Sequence, residues 1–144
     1  MSLDFQNGLH IAETFSVETE KDQAVLYSIS YQPTHKNKDL AYAYVQAHSR
    51  AKTLDNTPCG QTLCAEGYGA TMDIAPDALK KIWYTASERF IAAASGNITA
   101  FVENADKRST FCRIEAPATL KNAQIKTING VDKFVFLKDF PVSK

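Results

Sequence analysis

The sequence predicts an α/β fold: a helical N-terminal part packed on a small, mainly parallel C-terminal sheet with flanking helices. Three observations lead there. Residues 72–97, "MDIAPDALKKIWYTASERFIAAASGN", read as a long amphipathic helix. Short β-branched and aromatic runs follow it, separated by helical turns. The stretch before it is marked chiefly by helical spacing and turn residues.

The elements follow in chain order. "AVLYSISY" (24–31) is β-branched and aromatic with partial alternation, which predicts a strand. "NKDLAYAYVQAHSRAK" (37–52) opens on an Asn cap and sets Leu40, Tyr44, Ala47 and Ala51 at helical spacing, which predicts a helix. "DNTPCGQTLCAEGYGA" (55–70) carries Pro and several Gly and reads as an irregular loop. In the long helix, Pro76 suits a first turn, Leu79, Ile82, Trp83, Ala86, Phe90 and Ala94 trace one face, and Gly96 stops it. "NITAFVE" (97–103) and "STFCRIE" (109–115) are predicted strands, "PATLKN" a helical turn, and "AQIKTI" a further strand. Asn129–Gly130 predicts a tight turn into a last strand, "KFVFL".

The 144 residues fit one domain, 1–144, with a helix-rich part to about 75 and an α/β part from about 76. At 44% hydrophobic and 22% charged, the composition is that of a globular chain and argues against disorder. Sixteen basic residues balance sixteen acidic ones without a basic stripe, which argues against nucleic acid or an anionic membrane as partner. No apolar run approaches a membrane span, and "MSLDFQNGLHIAETF" lacks the features of a signal peptide. The odd count of cysteines, Cys59, Cys64 and Cys112, fits a reducing cytoplasm, with a Cys59–Cys64 bridge left open. His10, His35 and His48 show no paired-ligand spacing, so no metal site is expected.

Glu115 is the first candidate for chemistry. Strand alternation sets Phe111, Arg113 and Glu115 on one face, with Thr110, Cys112 and Ile114 on the other. A carboxylate at the C-terminal end of a strand sits where open α/β sheets place ligands. By residue type alone, a solvated glutamate paired with Arg113 or a lysine is the default reading. Trp83, the single tryptophan, lies on the apolar helix face, where core packing is the ordinary role. Ser87 shares that face one turn on, and a polar group there hints at a cleft edge. Asp55, Asn56 and Thr57 are common turn residues. Ser109 and Thr110 offer hydroxyls and N–H groups to a phosphate, or are plain turn residues.

Taken together and in order, three blocks resemble the ADP-ribosyl cyclase and NAD glycohydrolase family of animal ectoenzymes. They are "KDLAYAYVQ" (38–46) with "TLDNTPCG" (53–60), "IWYTASERFIAAASGNITAFVENAD" (82–106), and "STFCRIEAPATL" (109–120). The resemblance implies an enzyme that cleaves the nicotinamide–ribose bond of NAD to give nicotinamide and ADP-ribose, with some cyclic ADP-ribose possible. It implies NAD as substrate and no separate cofactor. Glu115 then matches the catalytic glutamate and Trp83 a tryptophan on the nicotinamide and ribose side. Asp55 and Asn56 match two acidic positions near the nicotinamide amide, and Ser87 a serine near the leaving group. Ser109, Thr110 and Phe111 match a segment that cradles phosphates, and Lys36 a phosphate-binding arginine.

The departures are specific. Thr34 stands where the family has a second substrate-binding tryptophan, so that half of the aromatic clamp is absent or supplied by Tyr31 or Tyr68. Most of the family's disulfide cysteines are missing, and the chain is shorter. Thr110 resembles the residue of the family's hydrolases, which favours hydrolysis over cyclisation. A small, disulfide-poor version suggests a toxin or effector domain acting in a target cytoplasm, with an inhibitory protein partner. A degenerate relative that binds a nucleotide or protein without turnover is the alternative. The sequence is silent on oligomeric state and on NAD against NADP.

Overall fold

The structure, a computed structural model, describes residues 4–28, 36–69, 74–103, 105, 109–138 and 140. Tyr31 and Thr34, both weighed above for the aromatic clamp, lie outside the described residues. The architecture is the expected α/β one. Four strands form one sheet in the order β1 (Val25–Tyr27), β2 (Gly96–Phe101), β3 (Ile125–Ile128), β4 (Val131–Asp132), the first two pairings parallel and the last antiparallel. The first strand comes from the N-terminal half, so the sheet unites both parts of the chain.

Helix α1 (Phe5–Thr14) starts at Asp4, whose carboxylate accepts the Gln6 N–H, and packs across α4 (Pro76–Ala93). Pro76 occupies the first turn of α4 as expected. Ile82, Ala86, Phe90 and Ile91 are fully buried, each large one contributing about 1.5–3 kcal/mol of burial. With Ile98, Ile125, Ile128 and Phe111 they form the main core. The helix ends at Ala94 rather than at the glycine. The Asn122 amide donates to the carbonyls of Ile91 (2.8 Å) and Ala94 (3.0 Å), closing that end. Gly96 follows with φ +78, against the Asp22 carboxylate, and opens β2.

Strand β1 divides its side chains between two cores: Ala24 and Leu26 face the main one, Val25 and Tyr27 a smaller one with Ala41 and Ala51. Helix α2 (Lys36–Ala47) covers the smaller core. It is shorter than expected, and its inward stripe is displaced: Asn37 and Ala41 are buried and Leu40 is 44% exposed. Asn37 is the reason. It is no cap; its amide donates to the carbonyls of Ser28 and Glu103, both at 2.9 Å, which ties α2 to the chain just beyond β1 and β2.

Three expected elements are corrected. The predicted loop at 55–70 contains a 3₁₀ turn (Leu54–Asn56) and helix α3 (Pro58–Ala65), with Pro58 in the first turn and the Thr57 hydroxyl accepting the Gly60 N–H. The predicted strand at 109–115 is helical: a π turn (Phe111–Glu115) runs into α5 (Ala116–Lys121). Pro117 supplies no N–H and crowds the carbonyl one turn back, and the wider turn absorbs this, the Ala116 N–H reaching the Phe111 carbonyl. The predicted last strand "KFVFL" is helix α6 (Lys133–Phe136), because the Asp132 carboxylate accepts the N–H groups of Phe134 and Val135. The Asn129–Gly130 turn is as expected, with φ +52 and +79.

All three cysteines are free thiols, so the Cys59–Cys64 bridge is not formed. No described helix is long and apolar enough to cross a membrane.

Candidate active site

A cavity of about 540 Å³ opens beside the carboxyl end of β1, in the range of small-ligand clefts. Its position follows from topology. Tyr27 and Ser28 come from the end of the strand, Tyr42 from α2, Asp55 from the 3₁₀ turn, Trp83 and Ser87 from α4, Phe111 and Glu115 from the π turn, and Ser109 and Thr110 from just before it. Glu115 and Trp83, which the sequence left 32 positions apart, therefore face one hollow.

Glu115 is 7% exposed, and no donor reaches its carboxylate among the described residues. Burial first, and the charge of Asp55 second, push its pKa up to about 8. Arg113, weighed above as its partner, is exposed and lines a separate groove with Glu88 and Lys121. Nor does Glu115 sit on a strand. It shares the buried stripe of a helical segment with Phe111, Cys112, Ala116 and Thr119.

Trp83 is half-buried, its indole N–H donating to the Tyr68 carbonyl at 2.7 Å, which fixes the ring at the cavity wall. Ser87 lies one turn further along α4 and is 4% exposed, at the edge of the same cavity. Ser109 is buried, its hydroxyl accepting the Cys112 N–H at 3.2 Å, so it starts the helical segment while lining the cavity beside Thr110 and Phe111. Among the candidates, Glu115, Trp83, Asp55, Ser87, Ser109, Thr110 and Phe111 come together.

Two candidates do not line the cavity. Asn56 turns back to take the N–H and hydroxyl of Thr53, at 3.0 and 2.8 Å, closing the 3₁₀ turn. Lys36 forms an exposed ion pair with Glu103 at 3.1 Å, while Lys38, two residues on, lines the cavity instead. Tyr68 is fully buried, its hydroxyl donating to the Asp4 carbonyl at the start of α1, and is no clamp. Beyond Trp83 and Phe111, Tyr27 and Tyr42 line the cavity and pack edge to face at 5.9 Å. Neither was singled out in the sequence, where both pass for ordinary strand and helix residues. Among the described residues no cluster of three or more His, Cys, Asp or Glu could hold a metal ion.

No family model and no curated protein matches the sequence. Solved structures do. The Aplysia cyclase with its substrate NGD and product cGDPR superposes with a TM-score of 0.57 at 15% identity, over 86% of this chain and 61% of that one. The fold is similar to that of the ADP-ribosyl cyclases. Porcine CD38 with a covalent intermediate gives 0.56 at 15% identity, over 96% of this chain and 81% of the other. At such identity the likeness is one of fold, and this chain spans about 61% of the length of the cyclase.

Proposed function

We propose that this chain is an NAD glycohydrolase, cleaving the nicotinamide–ribose bond to release nicotinamide and ADP-ribose. The observation that carries the reading is the shared cavity: a buried carboxylate, Glu115, and an anchored indole, Trp83, face one hollow. The fold similarity to proteins solved with NAD-like dinucleotides supports it at the coarse level.

The chemistry suits these residues. The C–N glycosidic bond breaks, nicotinamide leaves neutral with the bonding pair, and the ribose passes through an oxocarbenium-like state, as in glycoside hydrolysis. Water adds to that carbon, and its proton leaves to a base or to solvent. A leaving group that departs neutral needs no general acid, so one carboxylate suffices. Glu115, itself buried, meets the developing positive charge where solvent screens it little. An indole face favours the cationic pyridinium by about 0.5–2 kcal/mol. Ser109 and Thr110 line the same cavity and, in this reading, take the phosphates.

The raised pKa of Glu115 fits this role. Burial and the nearby acid favour the neutral form at pH 7. A bound pyridinium supplies the opposite charge that draws the proton off, so the ionised form appears where it is needed. Thr110 at the cavity favours hydrolysis over cyclisation through its resemblance to the family's hydrolases.

Titration calorimetry with NAD and ADP-ribose, run beside cleavage of a fluorescent NAD analogue, tests the proposal. Binding with cleavage is the expected result. Binding without cleavage would instead mark a degenerate nucleotide binder.

A further inference from the structure

The segment that carries Glu115 breaks a rule of helices. Residues 110–121 run as one helical stretch, yet Pro117 stands inside it. Ala116, just before the proline, keeps helical backbone angles (φ −66, ψ −48), which a following proline disfavours. The ladder is regular at its start, where the Arg113 N–H reaches the Ser109 carbonyl at 3.0 Å. It is one residue wider at Ala116, whose N–H reaches back five places to Phe111.

We infer that Pro117 is a positioning residue: by forcing the wide turn, it aligns Glu115 with Thr110 on the cavity side of the helix and aims the carboxylate at the ligand. The inference deepens the glycohydrolase reading of the same cavity and rests on it.

Spacing gives the reason. At about 100° per residue, positions five apart on an α-helix point about 140° away from each other. In a π turn, positions five apart stack one turn above the other. Thr110 and Glu115 are five apart and both line the cavity. Phe111 and Ala116 are equally spaced, and both are sealed in the core. The flanks of the turn are pinned. Upstream, Phe111 and Cys112 are fully buried. Downstream, the Thr119 hydroxyl donates to the Glu115 carbonyl at 2.7 Å, and the buried Lys133 ammonium donates to the Thr119 and Asn122 carbonyls at 3.0 and 2.7 Å. Narrowing the turn between these anchors therefore falls on Arg113, Ile114 and Glu115, and swings the carboxylate off the cavity wall. Pro117 itself lines the outer groove with Arg113 and Ile114, so it acts through the backbone and not by touching the ligand.

The alternative is that packing alone holds the wide turn and the proline is a bystander. Pro117→Ala removes the ring and restores an N–H for the Arg113 carbonyl, so it separates the two. The test compares wild type and Pro117→Ala by nicotinamide release from NAD, by thermal melts, and by carbon NMR titration of the Glu115 carboxyl. The variant should melt no lower than the wild type, since alanine suits a helix interior. Its kcat should nevertheless fall by roughly 100-fold, with KM little changed. The Glu115 midpoint, about 8 in the wild type, should move towards 4.5 as the carboxyl leaves its dry site. Tyr27, Lys38, Tyr42, Asp55 and Cys64 also line the cavity and are untouched by the substitution, so a moved midpoint reports Glu115 itself. An unchanged midpoint overturns the inference, even where the variant melts lower and turns over more slowly; so does a kcat equal to that of an active wild type. A wild type that releases no nicotinamide, with a midpoint that still moves in the variant, loses the glycohydrolase reading but keeps this device. An active wild type matched by its variant keeps the chemistry and loses the device.

Discussion

Glu115 is a carboxylate with two burdens, a dry surrounding and a second acid close enough to act on it. Both favour the neutral form, which fixes the sign of two pH effects. Turnover needs the ionised form, so kcat/KM should climb about tenfold per pH unit below about 8 and level off above it. Asp55→Asn removes the neighbouring charge and should move that midpoint down; a profile flat across the range would contradict the role given to Glu115. Stability should run the other way. A carboxyl whose folded pKa lies above its ordinary 4.5 contributes fully below 4.5, and that contribution is lost as pH rises towards about 8. Thermal melts of the wild type should therefore fall over that window. Glu115→Gln should not follow, leaving the variant ahead by on the order of 4 kcal/mol at the upper end.

At the scale of elements, the 3₁₀ turn that carries Asp55 is held by close packing on α3. A Cβ built on Gly60 would stand 2.1 Å from the Leu54 carbonyl oxygen and 2.8 Å from the Asp55 Cα, both backbone atoms. Gly60→Ala should push that turn away, lowering the melting temperature by several degrees, as expected for a loss of about 1–3 kcal/mol. It should also raise KM for NAD more than a distant core substitution of equal cost; an equal effect on KM would detach the turn from the site. Much of the element plan was legible in the sequence. The long helix with Pro76 in its first turn, β2, β3 and the Asn129–Gly130 turn all stand where spacing and turn chemistry put them. The errors share a cause. "STFCRIE" and "KFVFL" are rich in β-branched and aromatic residues, and composition outweighed spacing. Yet Phe111, Cys112, Glu115, Ala116 and Thr119 fall at helical intervals, and Lys133 and Leu137 are a buried pair one turn apart. In the predicted loop, Thr57 before Pro58 was a helix start read as a turn.

At the scale of the molecule, the site arises because a strand from the N-terminal half pairs in parallel with β2, bringing its carboxyl end towards α4 and the π turn. Seven of the candidate residues meet there. Lys36 and Asn56 do not, since a one-residue neighbourhood in sequence says nothing of which way a side chain leaves its turn. Tyr27 and Tyr42 could not be found from spacing, because the segments that join them through Asp55 meet only in the folded sheet. The fold and the cavity together make a definite demand on turnover. The most direct measurement is nicotinamide release from NAD by the purified wild-type protein and by Glu115→Gln under identical conditions at a pH near 8. The wild type should release nicotinamide steadily, and the folded variant should be slower by at least about 100-fold. A variant that keeps pace with the wild type, or a correctly folded wild type that releases none, would contradict the account.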